Sequence, residues 1–145
     1  LWDNKVEMGR IVGIDYGTKR VGLAVTDPLK IISSPLDTIH SKDVIEFLKK
    51  YDATEDIEVF AVGMPKNTNN KPTDATPHVK VFVKHLRKAF PNTPIRLVDE
   101  RFTSKMALDT MIAGGSTKKD RREKGNIDKI SAAIILQSYM DSNSI

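Results

Sequence analysis

The stretch "IVGIDYGTKRVGLAVTD", residues 11–27, decides the reading of the fold. Ile11, Val12 and Ile14, then Val21, Leu23 and Val25, make two apolar runs of strand-forming residues separated by Gly17. A β-hairpin explains that pattern, with strands at Arg10–Tyr16 and Arg20–Thr26. It does not explain Asp15. Gly17 alone serves the turn, and a carboxylate at the end of an apolar strand calls for solvent or a cation. The meaning of Asp15 depends on which other carboxylates reach the same place.

A third strand-like stretch at 31–38 follows after a short connection, so the first three strands read as antiparallel neighbours. Ser41 reads as the N-cap of a helix to residue 51, with Val44, Phe47, Leu48 and Tyr51 on one face and the pair Glu46–Lys50 outside. A buried-type strand at 57–63 runs into the loop "VGMPKNTNNKPTD". A second helix, 77–90, turns Val79, Phe82, Val83, Leu86 and Phe90 inward and leaves Lys80, Lys84, Arg87 and Lys88 for the other side. "PIRLVDER" (94–101) is the fifth strand, and Thr103 or Ser104 starts a third helix that ends near Gly114-Gly115. After the charged loop "STKKDRREKG", Asn126 reads as the cap of a last helix to residue 140, apolar on most sides. The order is β-β-β-α-β-α-β-α-α. It predicts an α/β fold: a mixed five-stranded sheet, three antiparallel strands then α-linked ones, with helices on both faces.

At 145 residues the chain suits one domain, expected over 9–141 with 142–145 as a tail. Met8 reads as a start residue, with 1–7 an expression remnant. There is no cysteine, which excludes disulfides and thiolate metal sites, and His40, His78 and His85 form no zinc pattern. The longest apolar run, 132–136, is far short of a membrane span, and the first residues lack a signal peptide's apolar core. A cytoplasmic protein without a membrane partner is expected. The net charge of +4 and a pI near 9.3 favour an anionic partner.

Acids fall at the ends of three elements. Asp15 closes the first strand, Asp99-Glu100 closes the fifth just before Arg101, and Asp128 is expected in the first turn of the last helix. If strands one and five are neighbours, their ends meet and the helix can cross that edge. Converging carboxylates repel one another unless a divalent cation sits among them, and an all-oxygen set suits Mg²⁺ or Mn²⁺. One or two such ions would activate a water and stabilise the leaving oxygen of a phosphodiester. Each acid also has a plain structural reading. Asp128 would complement a helix dipole, and Asp99-Glu100-Arg101 would be a solvated strand end. Alternation along a strand lets one of Asp99 and Glu100 face the site, and Glu100 is favoured.

Gly17 beside Asp15 would let the backbone approach a phosphate. Lys118, Lys119, Arg121, Arg122 and Lys124 immediately precede the helix of Asp128 and are candidates for phosphate contact, as are Lys19 and Arg20 in the first hairpin. A solvated loop is the plain alternative for 118–124. For Arg101, phosphate pairing and a salt bridge that orients the acids stand level.

Together "GIDYGTKRVGLAVTD", "VGMP", "VDERFTS" and "KGNIDKISAAIIL" resemble the YqgF/RuvX family of Holliday-junction resolvases, also described as pre-16S rRNA nucleases. The resemblance runs from Gly9 to Met140. It implies an RNase H-like fold related to RuvC and metal-dependent cleavage of phosphodiesters in structured RNA or branched DNA. Matched by motif, the implied acids are Asp15, then Glu100 or Asp99, then Asp128. RuvC-like enzymes place an acid after the fourth strand, where this chain has Met64-Pro65, so the acid of the fifth strand is the expected substitute. Two other classes compete with this reading. A nucleotide-binding domain of the actin/sugar-kinase type needs two such domains to enclose ATP, and a non-catalytic nucleic-acid scaffold would not need three acids.

Overall fold

The two apolar runs around Gly17 form the predicted hairpin, β1 (Arg10–Tyr16) and β2 (Arg20–Thr26). It is followed by β3 (Ser33–His40), α1 (Val44–Glu55), β4 (Ile57–Met64), α2 (Thr76–Ala89), β5 (Ile95–Asp99) and the last helix, α3 (Lys124–Asn143). The computed structural model describes residues 9–27, 29–30, 32–64, 76–99 and 124–143. The expected helix at 103–115, and Glu100, Arg101 and 116–123, lie outside the described residues.

The five strands form one sheet in the order β3-β2-β1-β4-β5. β2 runs antiparallel to both β1 and β3, whereas β4 runs parallel to both β1 and β5. This is the mixed sheet that the element order predicted, in keeping with the RNase H-like fold that the resemblance implies. One expectation fails: β4 lies between β1 and β5, so those two strands are not neighbours. The element order fixes that the strands are α-linked, but not which one pairs with β1. Because β1, β4 and β5 are parallel, their C-terminal ends still share one edge of the sheet.

Alternation divides the side chains between two unlike faces. Val12, Ile14, Leu23, Phe60 and Val62 are fully buried against α1, through Val44 and Leu48, and α2, through Val79, Phe82, Val83 and Leu86. Tyr16 stacks on Phe82 with centroids 4.5 Å apart, and Phe60 meets Phe90 edge-on at 5.0 Å. Those two pairs set α2 antiparallel to β1 and β4, with its N-terminal half beside the C-terminal ends of the strands. The other face is a floor of small residues. Ala24 and Ala61 lie against Ala132, Ala133 and Leu136 of α3. A Cβ at Gly13 would stand 2.7 Å from the Ala132 carbonyl oxygen, and one at Gly22 would collide with the carbonyl of Asp128. α3 therefore approaches the sheet backbone to backbone.

Local chemistry moves several boundaries. β3 begins two residues later than expected because a turn consumes the preceding ones. The Asp27 carboxylate accepts the Ile32 N–H at 2.8 Å, its carbonyl accepts the Lys30 N–H at 2.9 Å, and Lys30 takes φ 59°. Ser41 does not cap α1. The N-cap is Asp43, which makes no side-chain cap bond, and α1 continues to Glu55 rather than stopping at 51. The Ser41 hydroxyl instead donates to the Thr18 carbonyl at 2.6 Å, and its N–H donates to the Lys19 carbonyl at 3.0 Å. α3 starts at Lys124, so Asn126 lies inside the helix instead of capping it. No helix among the described residues is long and apolar enough to cross a membrane.

Candidate functional site

Asp15 pairs across the hairpin with Gly22, and directly opposed residues on antiparallel strands share a face. That face carries α3, because Gly13, two residues before Asp15, meets Ala132 and Leu136. The glycine at 22 leaves room for the helix backbone at Asp128 and Lys129. So the carboxylate-bearing residue of β1 and the one of α3 flank the same glycine. Asp128 is held there by Arg20, whose Nε donates to Oδ2 at 2.9 Å. With its side chains 43% and 24% exposed, this pair adds about 1 kcal/mol at most. Its larger effect is to select one orientation of the Asp128 carboxylate, leaving Oδ1 for another partner.

Asp128 was expected in the first helical turn, where it would offset the dipole. It lies in the second, and the first turn of α3 holds no acid. The dipole effect fades beyond the first turn, which weakens the plain structural reading of this residue. Asp99 behaves differently. It pairs with Met64, whose side chain belongs to the α1/α2 core, so Asp99 falls on the face opposite Asp15. The intervening strand adds a separation of about 10 Å between β1 and β5. Glu100, Arg101, Lys118, Lys119, Arg121 and Arg122 lie outside the described residues, and Lys124 opens α3. Among the described residues the site thus joins two of the candidate acids, Asp15 and Asp128, and no group of three or more His, Asp or Glu could hold a metal ion.

The hairpin turn closes on Gly17, as the sequence has it. A Cβ at Gly17 would stand 2.6 Å from the Arg20 carbonyl oxygen, so closure of the turn itself demands the glycine. Lys19 and Arg20 are exposed on that turn, and Arg20 gives its Nε to Asp128. Two residues that position the site escaped the sequence reading. Gly22 carried a usable signal, since an isolated glycine inside a strand marks close backbone approach. Ser41 carried none, because a serine before a helix looks like a cap whatever it binds.

The donor set is compatible with a hard divalent cation. Both acids offer oxygen only, and both are partly exposed, which leaves room for water. Mg²⁺ is commonly held by one or two carboxylates, with waters and substrate phosphate in the remaining positions.

Known proteins resemble this chain over nearly its whole length. The family model described as "RuvX: Holliday junction resolvase" matches residues 9–142. A protein of Amoebophilus asiaticus described as "Putative pre-16S rRNA nuclease" is 50% identical over 135 residues, covering 93% of this chain and 96% of that protein. A relative of the same description from Christiangramia forsetii is 49% identical over 133 residues, 92% of this chain and 98% of its own. Among solved structures, T. thermophilus RuvC in complex with a Holliday junction substrate superposes with a TM-score of 0.58 at 16% identity, covering 93% of this chain and 96% of that one. At that identity the likeness speaks for the fold. With a family model spanning nearly all of its length and relatives about half identical to it, this chain belongs to the RuvX family of nucleases.

Proposed function

We propose that the chain, acting as a single domain over 9–141, is a metal-dependent endonuclease that hydrolyses phosphodiester bonds in structured nucleic acid, maturing the 5′ end of pre-16S rRNA. The observation that carries this is that Gly22 pairs with Asp15 on one side and takes the backbone of Asp128 on the other, on one face of the sheet. Glu100 is the third acid of the proposal. Asp99 occupies the opposite face, and the alternation of β5 favours the next position for the Asp15 side. Asp15, Asp128 and Glu100 would hold Mg²⁺ or Mn²⁺, which supplies Lewis acidity at the phosphate and a more acidic bound water. Arg20 keeps the Asp128 carboxylate in one orientation. Lys19, Arg101 and the cations of 118–124 are the proposed contacts to the phosphate backbone, which fix the substrate's position rather than read its bases.

The substrate assignment rests on the shared description of the relatives. The family description supports a second reading, cleavage of four-way DNA junctions. A direct comparison decides between them. Wild-type protein and Asp15→Asn are incubated at one salt concentration with a pre-16S rRNA 5′-leader, an unstructured RNA of equal length and a four-way DNA junction. The expected result is faster Mg²⁺-dependent cutting of the leader and none by the variant. Preferred cutting of the junction would replace the rRNA assignment. Equal cutting by Asp15→Asn would remove the site from the chemistry.

A further inference from the structure

Helix α2, "TPHVKVFVKHLRKA", contains four cations and no acid. Those four account for the whole net charge: setting them aside leaves 19 Lys and Arg against 19 Asp and Glu in the rest of the chain. Lys80, Lys84, Arg87 and Lys88 are all exposed, while Val79, Phe82, Val83 and Leu86 are buried. At 3.6 residues per turn the four cations fall within an arc of about 100° and along about 12 Å of helix. None of them makes an ion pair with a described residue.

A helix that only needed solubility would not be built this way. Lys80, Lys84 and Lys88 follow one another at i,i+4, the spacing at which like charges weaken a helix. α1 shows the opposite choice, with Glu46 and Lys50 at the same spacing and 3.6 Å apart. The helix dipole accounts for Arg87 and Lys88 in the last turn, but not for Lys80 and Lys84 in the middle. The position of the stripe supplies a reason. The stacking of Tyr16 on Phe82 fixes the N-terminal half of α2 beside the end of β1, one residue beyond Asp15. From there the cations run back along the flank of the sheet, on the side opposite α3.

We infer that the outer face of α2 is a second contact surface for the sugar–phosphate backbone of the substrate. It takes a stem that crosses the sheet edge away from the Asp15–Asp128 site. Duplex nucleic acid carries about one negative charge per 1.7 Å of axis, so a stem lying along this face offers more phosphates than the four cations can contact. The inference rests on the nuclease reading for its substrate, but its test does not depend on cleavage.

Binding is measured in the Asp15→Asn background, with a long RNA hairpin and with an RNA oligonucleotide too short to span from the site to α2. Log affinity is followed against log salt concentration. Replacing Lys80, Lys84, Arg87 and Lys88 by Gln should flatten the slope for the hairpin by about 0.7 to 0.9 per lost contact, and leave the short oligonucleotide unchanged. The double variant Lys80→Gln/Lys84→Gln, which spares the helix end, should give about half of that change. Removing the like-charge repeat should leave the melting temperature equal or higher. An unchanged slope for the hairpin in both variants overturns the inference, as does an equal loss for the two RNAs. Loss of binding to anionic vesicles with no change for RNA would also overturn it, assigning the face to a membrane surface. If wild type cuts no nucleic acid and the slope still falls, the nuclease reading fails and this surface stands.

Discussion

Gly22→Ala is the substitution that most directly tests how the site is assembled. In an ordinary strand it would stabilise, since glycine is the poorer strand residue by about 0.5–1 kcal/mol. Here the new methyl group would collide with the Asp128 carbonyl and come within 2.9 Å of the Lys129 nitrogen. Both neighbours are backbone, so no rotamer change relieves the contact and the helix end must lift. Overpacking of this kind costs about 1–3 kcal/mol, which outweighs the propensity gain and leaves a net loss of about 1–2 kcal/mol. For a domain of this size that is a fall in melting temperature of about 3–8 °C. The effect on catalysis should be larger. A shift of about 1 Å in a reacting group costs about 100-fold in rate, and lifting α3 moves Asp128 away from Asp15 by that order. The assay pairs thermal melting with single-turnover cleavage of the RNA leader, and Gly13→Ala serves as the control. Gly13 meets α3 one to two turns further on, at Ala132 and Leu136, so its variant should lose similar stability but much less rate. Wild-type melting and rate in Gly22→Ala would refute the close-approach argument. Equal rate losses in the two variants would refute the claim that Gly22 sets the position of Asp128.

Other perturbations address the charges and the turn. Saturating Mg²⁺ at about 100 times its Kd should stabilise wild type by about 2.7 kcal/mol, and Asp15→Asn should lose most of that gain, as melting in EDTA and in Mg²⁺ will show. Arg20→Ala removes the bond that holds the Asp128 carboxylate in one orientation and should loosen Mg²⁺ binding measured by calorimetry; equal or tighter binding would contradict that positioning role. Ser41→Ala deletes the hydroxyl bond to the Thr18 carbonyl, worth about 0.5–1.5 kcal/mol, and should speed hydrogen exchange at residues 17–19. Unaltered exchange there would mean that the hairpin closes without that tie.

The parts of the fold legible in the sequence are those governed by local periodicity. β1 and β2 follow from a two-residue alternation broken by Gly17, and α2 follows from an apolar stripe on an otherwise basic helix. Strand order was not legible, because nothing in β4 or β5 states which of them pairs with β1; long-range packing decides it. Ser41 and Asn126 were misread for a common reason. Both have the chemistry of a helix cap, and the sequence does not say at which residue beside them the helix begins. In the site, Asp15 stood out because an acid ending an apolar strand needs an explanation, whereas Asp128, near the start of a helix, gained weight only beside the other acids. Asp99 and Glu100 could be separated only by strand alternation, and the pairing of Asp99 with Met64 supplies the face. Gly22 was overlooked because a missing side chain draws no notice until something is found to occupy its space.

The small-residue floor under α3 makes the two faces of the sheet unequal in how they tolerate change. On the α1/α2 side, branched and aromatic side chains meet one another, and a substitution there can be absorbed by rotamer shifts and neighbouring cavities. Where α3 crosses Gly13 and Gly22 it meets the sheet through backbone, so a carbon added at either glycine acts on the helix as a rigid body. The polar attachments of α3 to the hairpin and its neighbour, Arg20 to Asp128 at one place and the Ser33 hydroxyl to the Ala133 carbonyl at 2.8 Å at another, then act as pivots. Drift in the sequence of this face would register first as a change in the spacing of two carboxylates, well before the protein failed to fold.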